Sequence, residues 1–237
     1  MKPIRIFRHV DCEGPGYLLD VLARHGLPHE LVCIDRGDAV PPRIDDVAGL
    51  VFMGGGMSAN DELPWIAEEL ELIRRAMAAD VPVLGHCLGG QLMSKALGGE
   101  VVANPVKEIG WLDVQAADTA LAAEWLPVRG GRFEAFHWHG ERFSIPEGAN
   151  LILSSEHCRE QAFVLGNSLA MQCHVEMTEA LVREWVARFA DQLHDGAPTV
   201  QTKDQILQGL RERIRHLQAA ADVIYARWLR PIVARQG

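Results

Sequence analysis

The sequence lacks the features of a membrane or secreted protein. No apolar run in its 237 residues approaches the roughly 18 to 20 residues that a membrane-spanning helix needs. The segment Met1 to Phe7 has no long apolar stretch followed by a small-residue cleavage site, so we expect it to form a first strand and not a signal peptide. We therefore expect a cytoplasmic protein that has no membrane partner.

Cysteine and positive charge are also scarce. The five cysteines contain no Cys-x-x-Cys pair, and a chain of this length does not need disulfides, so a reduced protein is the simplest interpretation. Lys and Arg number 23 against 32 Asp and Glu, which gives a formal net charge of −9. That balance argues against nucleic acid as the main partner. The 48% of hydrophobic residues is ordinary for a globular protein with a substantial core.

Strand-like and helix-like segments alternate over the first 100 residues. This alternation predicts an α/β fold of flavodoxin-like type, with a mostly parallel central sheet and helices on both faces. After Glu100 turns join the predicted strands, so we expect a partly antiparallel extension of the sheet. The predicted strands are 4–7, 31–34, 50–53, 81–85, 101–102, 111–114, 151–154, 162–165 and 169–172, and the predicted helices are 17–25, 64–79, 88–97 and 181–193.

A break is predicted at residues 195–198, where Asp, Gly, Ala and Pro follow one another. We expect a catalytic domain over 1–195 and a helical extension over 196–237. In the extension, one apolar seam predicts a long helix that ends at Pro231. That helix either packs on the parent domain or forms a contact with a partner, such as a second copy in a homo-oligomer. The seam consists of Leu210, Ile214, Leu217, Ala221, Ile224 and Trp228.

The motif Gly85-His86-Cys87-Leu88-Gly89-Gly90-Gln91 lies where a buried strand turns abruptly into a helix. A nucleophile at such a turn is exposed above the sheet, and the helix N-terminus favours the thiolate form of the cysteine. The N–H group of Leu88 would face the same point and could stabilise an oxyanion. The alternative is a buried structural cysteine at a tight turn.

Two further motifs supply what a thiol nucleophile needs. His174 stands at a predicted strand end, and Glu176 points the same way two residues later, so the pair suits a general base and the acceptor that fixes its tautomer. A core histidine bonded to a glutamate is the alternative. The loop Gly54-Gly55-Gly56 follows another buried strand, and its backbone N–H groups could supply a second oxyanion donor, although a simple glycine turn would have the same sequence.

Together these motifs resemble the class I (triad-type) glutamine amidotransferases, and order and spacing match over about residues 1–195. The stretch 107–111 is also similar to the amidotransferase domain of GMP synthase. The resemblance implies Cys87 as nucleophile, His174 as base and Glu176 as its orienting partner. It further implies an oxyanion hole formed by Gly55, Gly56 and Leu88, and a substrate-binding set formed by Gln91, Trp138, His139 and Gly140.

The implied reaction is hydrolysis of the γ-amide of glutamine through a cysteinyl thioester, without a cofactor or a metal. About forty residues follow the predicted domain and contain no nucleotide-binding loop, so we expect a separate synthetase subunit to consume the ammonia. The alternative is a stand-alone γ-glutamyl peptidase, since the same triad would attack either γ-glutamyl compound.

Two other classes of function compete with the enzyme. A metal-binding protein could use soft ligands, although their spacing fits no structural zinc pattern. A non-catalytic interaction module could bind a partner through the C-terminal seam, with the three motifs retained but inactive. The candidate metal ligands are His137, His139, Cys158, Cys173 and His174.

Overall fold

The computed structural model describes residues 1–126, 128–194 and 196–236. Within these ranges, no helix is both long and apolar enough to cross a membrane. Nine strands form one sheet in the described part of the chain. They are β1 (Ile4–Arg8), β2 (His29–Cys33), β3 (Gly49–Phe52), β4 (Val83–His86), β5 (Val101–Ala116), β6 (Arg132–Phe143), β7 (Asn150–Ser155), β8 (Ala162–Leu165) and β9 (Ser168–Met171).

The sheet has a parallel half and an antiparallel half. Its strand order is β2-β1-β3-β4-β9-β8-β7-β5-β6. Strands β2, β1, β3, β4 and β9 run parallel to one another, whereas the remaining neighbours pair antiparallel. The predicted α/β fold is confirmed. Because β3, β4 and β9 are adjacent and parallel, the loops that follow them meet at one edge of the sheet.

Helices cover both faces of the sheet. They are α1 (Tyr17–Arg24), α2 (Pro64–Ala78), α3 (Leu88–Ala96), α4 (Ala120–Trp125), α5 (Glu179–Arg188), α6 (Lys203–Leu207) and α7 (Leu210–Gln236). The helices α2 and α3 pack on one face with the smaller apolar cluster, and α1, α5 and α7 pack on the other with the larger cluster. Local signals fix several of their ends: Pro64 begins α2, Thr178 caps α5, and Thr202 closes a capping box on α6.

The antiparallel half differs from the prediction. The segments 101–102 and 111–114 belong to one strand, β5, which pairs along most of its length with β6. No strand was predicted at β6, because charged and aromatic residues interrupt its apolar alternation. The register shifts between Ala103 and Glu108, around Pro105, which has no N–H group to donate to the ladder. The helix predicted at 181–193 is α5 followed by a short 3-10 segment at Ala190–His194.

The C-terminal helix α7 packs on the rest of the chain. All six seam residues are buried, and they belong to the larger core cluster together with residues of the sheet. This agrees with the first interpretation of the seam. The prediction that Pro231 ends the helix was wrong: α7 continues through it to Gln236, because the neighbouring Leu229 and Ile232 are anchored in the core. Asp195, at the predicted domain boundary, lies outside the described residues.

Candidate active site

Cys87 occupies a strained turn between β4 and α3. Its φ is 49° and its ψ is −106°, in the left-handed half of the backbone map that non-glycine residues seldom adopt. Its N–H donates to the carbonyl of Met171 at 2.8 Å, which ties the turn to β9. The turn also needs Gly89, since a Cβ there would lie 2.0 Å from the carbonyl oxygen of Phe52. The sequence thus builds a sharp elbow that aims the thiol above the sheet edge.

His174 and Glu176 lie beside this elbow as expected. The Nδ1 atom of His174 is 2.6 Å from Oε1 of Glu176, so the carboxylate orients the ring through its Nδ1 proton. On the other side of the ring, Nε2 makes no hydrogen bond with a described residue. The Cys87 thiol is nevertheless close enough to raise the pKa of the ring. This geometry leaves Nε2 available for exchanging a proton with sulfur or a leaving group.

The pKa values of His174 and Glu176 are shifted in opposite directions. Burial disfavours the His174 imidazolium, but Glu176 and Cys87 outweigh that effect and raise its pKa well above the ordinary value. Burial likewise opposes the Glu176 carboxylate, yet His86 and His174 lower its pKa to about 2. The site therefore favours a Glu176 carboxylate beside a protonated His174 imidazole.

A second histidine, His86, contacts the other carboxylate oxygen of Glu176. His86 Nδ1 lies 3.3 Å from Oε2 of Glu176, and the ring is fully buried. The Tyr225 hydroxyl, on α7, is 3.1 Å from His86 Nε2. With that hydroxyl donating to Nε2, the ring proton sits on Nδ1 and faces Glu176. Burial lowers the pKa of His86, and the Glu176 carboxylate opposes that shift. The C-terminal helix α7 is thus linked to Glu176 through His86: Tyr225 contacts His86, and His86 contacts Glu176.

The glycine loop lies against the first turn of α3. A Cβ on Gly55 would come 2.7 Å from the Leu88 side chain, so the two segments are in close contact. The N–H groups of Gly55, Gly56 and Leu88 make no hydrogen bond with any described residue. Below the loop, His9 Nδ1 lies 3.1 Å from the Met53 carbonyl oxygen. These free donors are those that the sequence assigned to an oxyanion hole.

A cavity of about 390 Å³ opens above Cys87. Two predicted substrate residues, Trp138 and Gly140, line it, and the Trp138 indole N–H donates to Gln192 at 2.9 Å. Two others are partly committed: Gln91 donates to Gln172 at 3.3 Å, and His139 lies 2.9 Å from Glu108. The lining includes Glu13, Gly55, Gly56, Met57, Ser58, Cys87, Gln91, Lys107, Ile109, Trp138, His139, Gly140, Glu141, Trp185, Phe189 and Gln192.

The candidate metal ligands are not brought together as the sequence suggested. Within the described residues, the group whose ligand atoms lie within 4.8 Å of one another is Glu108, His137 and His139. Its carboxylate already accepts hydrogen bonds from Ser155 at 2.7 Å and Gln161 at 2.8 Å. The group is buried, and it contains two of the five candidate ligands, His137 and His139, but neither of the cysteines that the metal hypothesis included.

Some residues at the site were missed by the sequence analysis. Gln172 donates to the Cys87 sulfur at 3.5 Å, and His86 and Tyr225 form the support described above. Glu13 lines the cavity and was also missed. It lies in the loop after β1, five residues beyond Arg8, at the carboxyl edge of the parallel strands where ligands bind in such sheets, and that position could have indicated it.

The chain belongs to the class I glutamine amidotransferases, a family of cysteine-nucleophile amide hydrolases. The family model described as "Glutamine amidotransferase class-I" matches residues 17–192, which is well over half of the chain. The chain is also 32% identical over 193 residues to the glutamine amidotransferase-like protein YfeJ of Salmonella typhimurium, covering 79% of this chain and 81% of that protein.

Other relatives are larger proteins. The chain is 30% identical over 155 residues to the glutamine-hydrolyzing GMP synthase of Bacillus pumilus. That match covers 63% of this chain but 27% of the synthase. The chain therefore spans about a quarter of that relative's length.

Solved structures show the same fold. A glutamine amidotransferase from Methylobacillus flagellatus is 45% identical, with a TM-score of 0.94 over 98% of this chain and 95% of that one. A glutamine amidotransferase from Thermotoga maritima is 24% identical and superposes with a TM-score of 0.84 over 96% and 98% of the two chains. The second likeness shows the fold alone.

Proposed function

We propose that the protein hydrolyses the γ-amide of glutamine, with Cys87 as nucleophile, His174 as general base and acid, and Glu176 as the orienting carboxylate. The observation that carries this proposal is the position of Cys87. It stands on a strained elbow, faces a cavity, and lies next to an imidazole whose tautomer Glu176 fixes at 2.6 Å.

In the proposed reaction, the Cys87 thiolate attacks the γ-carbonyl carbon of glutamine. The N–H groups of Gly55, Gly56 and Leu88 stabilise the oxyanion, and each donor of this kind typically contributes about 3 kcal/mol. His174 then gives its Nε2 proton to the leaving nitrogen, and ammonia departs. Water, deprotonated by His174, hydrolyses the glutamyl thioester and releases glutamate and the free thiol.

We further propose that a synthetase on a separate subunit consumes the ammonia. Relatives named as glutamine-hydrolyzing GMP synthases support this, because the part of them that matches this chain is a minor fraction of their length. The competing proposal is a stand-alone γ-glutamyl peptidase, which would use the same thiol and imidazole.

The test is hydrolysis of L-glutamine and of a panel of γ-glutamyl peptides by the wild-type protein and by Cys87→Ala. We expect turnover to fall by at least about 10³-fold in Cys87→Ala. Cys33→Ala is the matched control, because Cys33 is outside the cavity, and it should retain full turnover. Retention of activity by Cys87→Ala would contradict the proposal, and a preference for peptides over glutamine would favour the peptidase.

A further inference from the structure

Glu13 is a cavity residue that the proposed reaction leaves unused. It is 8% exposed, and its side chain lines the cavity together with Cys87. Its carboxyl group makes no hydrogen bond or ion pair with any residue that the structure describes. Buried polar groups in proteins almost always have a partner, so an unpartnered carboxyl at a ligand cavity indicates that the ligand supplies one.

The position of Glu13 relative to His174 tells which part of a ligand it would meet. A Cβ built on Gly54 would lie 2.2 Å from Oε2 of Glu13 and 3.3 Å from Cε1 of His174. The carboxyl and the imidazole therefore face the same small space beside Gly54. Cε1 lies between Nδ1, which faces Glu176, and Nε2, the atom that would protonate the leaving nitrogen. Glu13 is thus beside the imidazole that exchanges the proton, within reach of an amine held there.

The distribution of charge along the cavity supports this orientation. The cationic side chain in the lining is that of Lys107, whose stem would be 3.4 Å from a Cβ on Gly140, whereas Glu13 lies against Gly54. Lys107 suits the α-carboxylate of a γ-glutamyl group, and Glu13, beside His174, suits the departing amine. The other acidic residue of the lining, Glu141, already accepts a hydrogen bond from Ser58. Burial, opposed by His174, His9 and Arg188 and reinforced by Glu176, raises the pKa of Glu13 to about 7. A cation beside it would favour the carboxylate form.

We propose that Glu13 forms a subsite for the leaving amine and favours ammonia, or amines that carry a second cationic group, over amines that carry a carboxylate. This inference rests on the proposed γ-glutamyl chemistry. The proton still passes from His174 Nε2 to the leaving nitrogen, and the C–N bond breaks as the thioester forms. Glu13 accepts a hydrogen bond from that nitrogen and forms no covalent bond.

The first experiment measures the charge preference of the cavity without any turnover. Cys87 would be labelled with cationic, neutral and anionic methanethiosulfonates of similar size, in a background where the half-buried Cys33 is serine, and the adduct located by mass spectrometry. In Glu13→Gln, we expect the cation-to-neutral rate ratio to fall about tenfold. Glu13→Asp should keep most of the preference, and Glu184→Gln, an exposed carboxylate on α5, should match the parent. An unchanged ratio in Glu13→Gln would overturn the subsite.

The second experiment identifies the subsite with the leaving amine. It compares kcat/KM for the γ-glutamyl monoamide of a diamine with that for γ-glutamylglycine. The diamine-to-glycine ratio should fall about tenfold in Glu13→Gln and stay constant in Glu184→Gln. A constant ratio in Glu13→Gln would overturn the inference while leaving the proposed function intact. Failure of the wild-type protein to cleave any γ-glutamyl compound would contradict the proposed function, and the labelling ratios would still decide whether Glu13 attracts a cation.

Discussion

Two buried glutamates in the described part of the chain each lie beside two histidines. Glu176 contacts His174 at 2.6 Å and His86 at 3.3 Å. Glu108 contacts His139 at 2.9 Å and lies 3.9 Å from His137. The two clusters have the same side chains and similar burial, so composition alone does not distinguish them.

The clusters differ in the thiol nearby and in the hydrogen-bond partners of the carboxylate. Cys87 stands on a strained elbow at the cavity beside Glu176 and His174, whereas burial raises the pKa of Cys158, near Glu108, to about 12. The Glu108 carboxylate is also capped by Ser155 and Gln161. A carboxylate–histidine pair therefore becomes a candidate catalytic device when the backbone presents a nucleophile to it, and otherwise serves the core.

Isosteric amides at the two glutamates give the largest expected contrast. Glu176→Gln should lower kcat by about 10³-fold, because the amide cannot hold the His174 imidazolium and its tautomer. Glu108→Gln should keep kcat within about threefold and instead lower the free energy of unfolding by about 1 to 3 kcal/mol, because it disturbs a buried, hydrogen-bonded carboxylate. Steady-state kinetics and urea unfolding measure the two effects. Equal losses of kcat would remove the distinction between the clusters.

Glu13 should show an effect on stability that depends on pH. Folding raises its pKa from about 4.5 to about 7. Between these two pH values the carboxyl ionises in the unfolded chain but stays protonated in the folded protein, so the free energy of unfolding falls as the pH rises. Glu13→Gln should therefore be about 2 to 3 kcal/mol more stable than wild type at pH 8, and the gain should vanish below about pH 4.5. Urea unfolding at several pH values measures this. A gain that is constant with pH would contradict the shifted pKa.

The support from the C-terminal helix should have the smallest effect. Tyr225→Phe removes the hydroxyl that fixes the His86 tautomer and should lower kcat by about three- to tenfold, with a loss of stability of about 1 kcal/mol. Ser155→Ala removes the equivalent cap of Glu108 and should leave kcat unchanged. An equal fall of kcat in both variants would mean that the two substitutions act through general stability.

The parts of the site that the sequence predicted are the local ones. Cys87, His174 and Glu176 follow short buried strands, and strand ends can be located from apolar runs and glycines. The structure places these residues together because β4 and β9 are neighbours in the sheet. Their catalytic roles remain predictions.

The parts that the sequence did not predict depend on distant contacts. Tyr225 and His86 are in contact although they are 139 residues apart in the sequence. The apolar seam predicts which face of α7 is buried, but it does not predict that the Tyr225 hydroxyl contacts His86. Strand β6 was missed because its pairing with β5, and not its own alternation, makes it a strand. Pro231 failed to end α7 because burial of its neighbours offsets the loss of one helical hydrogen bond.

We infer that the backbone turn between β4 and α3 makes Cys87, and not another cysteine, the nucleophile. The direct test is to treat the wild-type protein with an electrophilic glutamine analogue and map the adduct by peptide mass spectrometry, with and without excess L-glutamine. We predict one adduct, on Cys87, whose formation glutamine slows, with Cys158 unmodified at neutral pH. Modification of Cys158 at a comparable rate, or labelling of Cys87 that glutamine does not slow, would contradict the account.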